Sequence, residues 1–128
     1  MNVLLDSHVF IWQDTDAARI TPKVMSIMTD PANRVLFSVA SIWEIAVKIQ
    51  IGKLRLTNTL EIVLAQQQAK NKFAIISITT EHALRVGQLP SIHKDPFDRM
   101  LVAQALVENA TILTDDKLVR QYPVSTDW

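Results

Sequence analysis

The sequence predicts an α/β fold in which helices cover both faces of a mainly parallel sheet, and two observations support this prediction. Short apolar runs, each typical of a strand buried on both faces, recur along the chain at 3–5, 35–37, 73–78 and 111–114. Longer segments with apolar residues at helical spacing separate these runs, and the five prolines fall between segments. Strands that alternate with helices pair in parallel and are covered on both sides.

The chain is expected to form a single domain over 1–128. Its 128 residues, 48% of them hydrophobic, are enough to bury one core, and no repeat, linker or low-complexity tract interrupts the pattern. The chain has no cysteine, which excludes disulfides, thiolate catalysis and cysteine-based zinc sites. Its two glycines are too few for a phosphate-cradling loop or a dinucleotide fingerprint, so nucleotide sites of those kinds are excluded too.

Charge and hydropathy limit the partners. Thirteen basic and thirteen acidic side chains cancel, so no global field attracts nucleic acid, and a polyanion would need local basic residues or a metal ion. The N-terminal segment MNVLLDSHVFIW lacks a basic region and is interrupted by Asp6, so it is not a signal peptide. No apolar run approaches the roughly 20 residues of a membrane span. We therefore expect a cytoplasmic protein with no membrane association.

The segment 39–51, VASIWEIAVKIQI, is predicted to form a helix that is apolar on nearly all sides. Trp43 and Val47 lie opposite the stripe formed by Ile42 and Ile49. A helix of this kind is buried either within its own domain or against a second protein.

Acidic residues follow two of the predicted strands directly. In an open parallel sheet, ligands bind beyond the carboxyl ends of the strands, so these acids are expected at the same edge. A further acid lies within about two turns of that edge on the helix after the second strand, and another lies in the first turn of a later helix. The acids expected there are Asp6, Glu44, Asp98 and one or both of Asp115 and Asp116.

Most of these acids also have a purely structural interpretation. In the segment DPFD, Asp95 suits the N-cap of a helix and Asp98 its first turn, where a carboxylate favours the helix dipole. Asp115 and Asp116 could cap a last short helix, DKLVRQY. Glu44 has the spacing of an i,i+4 ion pair with the lysine at position 48.

Asp6 is harder to explain structurally, because a carboxylate directly after a buried strand loses hydration unless a partner compensates. Acids sent to one edge from four elements would also repel each other without a counter-charge. A hard dication, Mg²⁺ or Mn²⁺, prefers carboxylate and water oxygens and supplies that charge. Zinc is not indicated, since the histidines lack HxxxH-type spacing: His8, His82 and His93.

Four segments together carry a resemblance to a known family. They are VLLDSHVFIW, SVASIWEIAVKIQIGKL, HKDPFDRMLVAQA and ATILTDDKLVRQY, and they occur in the family's order over nearly the whole chain. On these segments the chain resembles the PIN-domain ribonucleases, specifically the VapC-type toxins of bacterial toxin–antitoxin pairs.

This resemblance implies an α/β/α sandwich with a parallel sheet and an acidic pocket. The acids that it places in the pocket are Asp6, Glu44, Asp98 and Asp116. Asp116 is chosen over Asp115 because the family often has threonine, any residue and aspartate after this strand, which Thr114 and Asp116 match. Asp95 is then the helix cap.

The chemistry implied by the resemblance is hydrolysis of RNA phosphodiester bonds with bound Mg²⁺, for which Mn²⁺ can substitute. Asp6 and Asp98 are expected to bind the ion directly, and Glu44 and Asp116 through water or a second ion. Basic residues near these segments could contact RNA phosphates or could be ordinary surface charges, and Arg99 could instead form an ion pair within the fold. These residues are Lys48, Lys53, Arg55, Lys94, Arg99, Lys117 and Arg120.

The resemblance also implies a homodimer and a cognate VapB-type antitoxin whose basic segment occupies the acidic groove. Two other enzyme classes fit less well. A response-regulator receiver usually has two acids after its first strand, where LLDSHV offers only Asp6, and a haloacid-dehalogenase-type phosphatase needs Asp-x-Asp, where His8 takes the second place. The alternative from another class is a non-catalytic module that binds a basic peptide or RNA through the acidic groove.

Overall fold

The computed structural model describes residues 1–128. Its strands are β1 (Asn2–Leu5), β2 (Arg34–Ser38), β3 (Ala74–Ile76), β4 (Ala110–Leu113) and β5 (Thr126–Asp127). Its helices are α1 (Ser7–Thr15), α2 (Pro22–Thr29), α3 (Val39–Gln50), α4 (Leu60–Asn71), α5 (Thr80–Val86) and α6 (Pro96–Glu108). All five strands pair in parallel in one sheet, in the order β3-β2-β1-β4-β5. The predicted α/β fold with a parallel central sheet is confirmed.

Each face of the sheet is covered by its own helical layer. Successive side chains of a strand point to opposite faces, so Val3 and Leu5 of β1 pack with residues of α1 to α4. Leu4 points the other way and packs with α6, against which α5 also lies. Because strands of this kind are buried on both sides, they appear in the sequence as unbroken apolar runs.

Two details at the end of the chain differ from the prediction. The segment DKLVRQY does not form a regular helix, since only Val119–Gln121 forms a 3₁₀ turn. Pro123 follows closely, and a residue that precedes proline is disfavoured in the α conformation, which explains the early stop. The sequence also gave no sign of β5, because this strand has only two residues, Thr126 and Asp127, and no apolar run.

The strand order creates a crevice at the middle of the sheet. From β1 the chain builds outward through β2 and β3 on one side, and β4 and β5 lie on the other side. The strand order therefore reverses between β1 and β4, and ligands of open parallel sheets bind at the carboxyl ends of the strands beside such a switch point. The residues that follow these two strands there are Asp6 and Thr114 to Asp116.

Helix α3 is only partly buried by its own domain. Ala40 and Ile45 are packed inside, whereas Trp43 is 58% exposed and Ile51, just after the helix, is 57% exposed. Val47 completes the exposed apolar stripe between them. The sequence left open whether this helix is buried within the domain, and the structure shows that one side of it is not. No helix in the structure combines the length and hydrophobicity needed to cross a bilayer.

Candidate metal centre

Asp6 ends the central strand and begins helix α1 as its N-cap. Its Oδ1 accepts hydrogen bonds from the backbone N–H of His8 and the hydroxyl of Ser7, both at 3.2 Å, and its Oδ2 accepts one from Thr114 at 2.6 Å. Burial raises the pKa of Asp6, but the hydrogen bonds from His8 and Thr114 outweigh burial and hold the pKa below its ordinary value. Asp6 is therefore a fixed negative charge although it is only 3% exposed.

The two aspartates of the DPFD segment have different surroundings. Asp95 is the N-cap of α6, as predicted, and its side chain accepts hydrogen bonds from the backbone N–H groups of Phe97 and Asp98. Asp98 turns into the crevice, where its Oδ2 lies 2.9 Å from His93 Nε2. Asp95 thus starts the helix, and Asp98 reaches the group of acids.

The pKa of Asp98 is raised to about 8 by its burial and by neighbouring acids. Burial is the largest cause, and the negative charges of four other carboxylates add to it. These carboxylates belong to Asp6, Asp95, Glu44 and Asp116. The structure therefore brings together all four acids expected at the carboxyl edge, from β1, α3, α6 and the segment after β4.

Asp116, after β4, both caps a turn and lies beside the other acids of the site. Its Oδ1 accepts hydrogen bonds from the backbone N–H groups of Leu118 and Val119, as a turn cap does. Its Oδ2 points the other way and lies 3.6 Å from His93 Nε2. Asp115 is exposed and has no such contact. The structure thus places Asp116, and not its neighbour, beside Asp98.

Glu44 forms the predicted i,i+4 pair with Lys48, but the pair is not on an exposed face. Lys48 Nζ lies 2.7 Å from Glu44 Oε2, and the glutamate side chain is 4% exposed. The other oxygen, Oε1, is buried and has no hydrogen-bond partner in the protein. A buried carboxylate oxygen without a partner costs free energy unless a cation or donor compensates, so Glu44 has one oxygen available for a ligand.

His93 belongs to this site, although the histidine spacing gave no indication of it. Its Nε2 and one oxygen each of Asp98 and Asp116 all lie within 4.8 Å of one another. Its Nδ1 accepts a hydrogen bond from the backbone N–H of Asp95 at 3.1 Å, so the ring proton of the neutral imidazole lies on Nε2. A ligating nitrogen must be free of its proton, so His93 in this tautomer is a neighbour of the acids and not itself a ligand, with its Nε2 2.9 Å from Asp98 Oδ2. The only sequence signal was its position in the loop two residues before Asp95.

Four of the seven basic residues have surroundings that separate them into two groups. Lys48, Lys53 and Lys94 line one cleft of about 410 Å³ that borders Glu44. Arg99 turns inward instead, where its guanidinium donates hydrogen bonds to backbone carbonyls and to Tyr122. The ion pair considered for Arg99 is therefore wrong, because its partners are neutral.

The acidic group fits a hard divalent cation. All four predicted acids offer oxygen donors, which suit Mg²⁺ or Mn²⁺ better than softer metals. Oxygen Oε1 of Glu44 has no donor within the protein, and the raised pKa of Asp98 shows that its ionised form is disfavoured without a nearby cation. The residues that could hold an ion are Asp6, Glu44, Asp98 and Asp116.

Comparisons with known proteins agree with this architecture. The chain is similar in structure to VapBC2 from Rickettsia felis bound to a DNA fragment from its promoter, with a TM-score of 0.77, 14% identity, and coverage of 99% of this chain and 98% of that chain. It is also similar to DNA-bound VapBC from Salmonella typhimurium, with a TM-score of 0.69, 15% identity and 99% and 97% coverage. FitAcB from Neisseria gonorrhoeae matches with a TM-score of 0.58, 20% identity and 97% and 95% coverage.

At these identities the structural matches show a shared fold. A search of curated proteins gave no significant match. The sequence itself matches the family model of the PIN domain over residues 3–124. That match spans nearly the whole chain, so the protein belongs to the PIN-domain family.

Proposed function

We propose that this protein, as a single PIN domain over 1–128, is a metal-dependent ribonuclease of the VapC toxin type. The observation that supports the proposal is the convergence of four carboxylates at the switch point between β1 and β4, where burial and the charges of the other three contribute to raising the pKa of Asp98 to about 8. Mg²⁺ is the ion proposed, with Mn²⁺ as a substitute. Family membership and the resemblance of the four sequence segments to VapC-type toxins support the same assignment.

The residues have separate roles in this proposal. Asp6 and Asp98 hold the ion directly, and Glu44 and Asp116 hold it through water or hold a second ion. Thr114 fixes Asp6 by its 2.6 Å hydrogen bond, which keeps that carboxylate charged and oriented. When bound, the ion lowers the pKa of a water molecule and neutralises charge on the phosphoryl oxygens. A carboxylate of the group accepts the proton of the attacking water.

The lysine cleft holds the substrate in this proposal. Lys48, Lys53 and Lys94 provide local positive charge beside the acids, which a chain with no net charge needs in order to bind RNA. Contacts of this kind position the RNA backbone without reading its sequence.

Metal removal tests the proposed activity. The chain, purified free of any partner and treated with EDTA, is expected to leave RNA intact, and Mg²⁺ or Mn²⁺ added in excess is expected to restore cleavage. Gel analysis of several unrelated RNAs provides the measurement. Equal cleavage in EDTA would refute the metal-dependent mechanism. A failure to cut any RNA with metal present would favour a non-catalytic module that uses the acidic groove for binding.

A second chain and an antitoxin are the proposed protein partners. The apolar stripe along α3, formed by Val39, Trp43, Val47 and Ile51, is exposed in the monomer, and contiguous exposed apolar side chains are typical of an interaction surface. We assign the part of this stripe at Val39 and Trp43 to a homodimer contact, because Val47 and Ile51 also line the lysine cleft. We assign the acidic groove to the basic segment of a VapB-type antitoxin.

The dimer contact is tested at its largest side chain. Trp43→Ala is expected to weaken dimerisation at least about tenfold, because a central tryptophan often dominates an interface. Light scattering should give twice the 14.5 kDa chain mass for the wild type and a single-chain mass for the variant at the same concentration. Ile62→Ala removes an exposed apolar side chain on α4 and serves as the control, which should stay dimeric. A wild-type monomer at high concentration would contradict the assignment.

A further inference from the structure

Tyr122, just after the 3₁₀ turn Val119–Gln121, makes hydrogen bonds that its sequence position does not suggest. The residue is 3% exposed, and its hydroxyl accepts two hydrogen bonds inside the protein. The donors are the backbone N–H of His93 at 2.8 Å and a guanidinium nitrogen of Arg99 at 3.1 Å. One buried oxygen therefore connects the end of the chain to the loop before α6 and to the first turns of that helix.

Arg99 holds the same loop at two further points. Its guanidinium donates to the carbonyl of Val86 at 3.1 Å, where α5 ends, and to the carbonyl of Pro90 at 2.9 Å, within the loop. Together with the hydrogen bond that the His93 N–H donates to Tyr122, these contacts fix the loop at its start, middle and end. A guanidinium suits this task because its five N–H donors have a rigid planar arrangement.

The fixed loop determines where the imidazole of His93 lies. Its Nδ1 accepts a hydrogen bond from the N–H of Asp95, and its Nε2 lies 2.9 Å from Asp98 Oδ2 and 3.6 Å from Asp116 Oδ2. The ring therefore lies between one oxygen of each carboxylate, while the other oxygen of Asp116 accepts hydrogen bonds from two backbone N–H groups. A displaced loop would move this ring from its place between α6 and the segment after β4.

We infer that Tyr122 is a positioning residue of the metal centre, which acts through His93 to hold the carboxylates of Asp98 and Asp116 at a fixed separation. The inference rests on the proposed function, because it concerns the ion that these acids would hold. Groups that orient ligating side chains typically change metal affinity by about 10- to 100-fold when they are removed. If Tyr122 only filled space in the core, loss of its hydroxyl would leave metal affinity unchanged.

The test is metal binding by the full chain without RNA. Tyr122→Phe keeps the ring and removes only the oxygen, and it is expected to weaken Mn²⁺ binding in isothermal titration calorimetry by about 10- to 100-fold. His93→Ala should weaken binding to a similar degree, and the double variant should be little worse than either single variant, because both changes break one pathway. His93→Gln, which retains a side-chain N–H donor, should recover part of the affinity.

Thr59→Ala is the matched control, since it removes the side chain that caps α4, a helix that contributes no acid to the site. It should lower the melting temperature and leave Mn²⁺ affinity unchanged. Equal affinity of wild type and Tyr122→Phe would overturn the inference, as would an equal loss in Thr59→Ala. A wild-type chain that binds no Mn²⁺ would overturn the proposed function as well. A nitrogen NMR spectrum with the His93 proton on Nδ1 would overturn this inference alone.

Discussion

Replacing either Asp6 or Asp98 by asparagine is expected to lower the rate of RNA cleavage by roughly a factor of 10³. Each change removes a negative oxygen from the group that would hold the ion, and electrostatic stabilisation by a bound metal is worth several kcal/mol, with each 1.36 kcal/mol equal to a factor of ten. The measurement is the single-turnover cleavage rate at saturating Mg²⁺.

Both variants should remain folded, which makes the result interpretable. Asp6 is also the N-cap of α1, and asparagine is as good an N-cap as aspartate, so the helix keeps its start. Asp115→Asn is the control, because this carboxylate is next to Asp116 in the chain but is exposed. It should cleave at the wild-type rate. Full activity in both Asp6→Asn and Asp98→Asn would discard the assignment of the site.

Stability of the metal-free protein is expected to fall as the pH rises from about 4 to about 8. The pKa of Asp98 is about 8 in the folded protein and near 3.8 in the unfolded chain, so within this window the folded state holds a proton that the unfolded state has released. Stability decreases with pH wherever the folded state binds more protons. The loss of stability caused by ionising Asp98 is absent below about pH 4 and complete above about pH 8.

Asp98→Asn should remove this dependence and be more stable than the wild type at pH 8. With allowance for solvent screening of a partly exposed group, the free energy of unfolding of the variant should exceed that of the wild type by about 1–2 kcal/mol. This difference corresponds to roughly 5 °C in melting temperature. Calorimetry of both proteins in EDTA across pH 4–9 isolates Asp98, since other titrating groups are common to both. Mg²⁺ should stabilise the wild type more at pH 8 than at pH 5. A melting temperature that changes with pH in the same way in both proteins would contradict the prediction.

The parts of the site that could be predicted are those fixed by strand ends. Asp6 and Asp116 follow parallel strands, and the carboxyl ends of such strands share one edge whatever the rest of the fold does. Glu44 and Asp98 lie on helices, whose orientation depends on tertiary packing. Their positions along the helices made this edge possible for them, and the family resemblance implied their role in the site. The structure brings all four acids together, and their metal ligation remains a proposal.

The residues that were not predicted depend on contacts between distant segments. His93 lies in an irregular loop, and Tyr122 follows a 3₁₀ turn, so neither belongs to a periodic pattern. The buried side of α3 was also hidden, because apolar residues surround the helix and only packing against α1 and α6 decides that Ile45 lies inside and Trp43 outside. Local pattern therefore predicted four of the five strands and three of the six helices, and long-range packing decided which side chains meet.

The pairing of β1 with β4 joins residues about a hundred positions apart, such as Leu5 and Leu113. Contacts of such high sequence separation form late and slowly during folding, because a long loop must close before they can form. During synthesis on the ribosome, Asp6 emerges early, and nearly all of the chain must be made before Asp116 can fold against it. The acidic group therefore comes into existence only in an almost complete polypeptide, so a nascent chain or a fragment ending before β4 has no assembled centre.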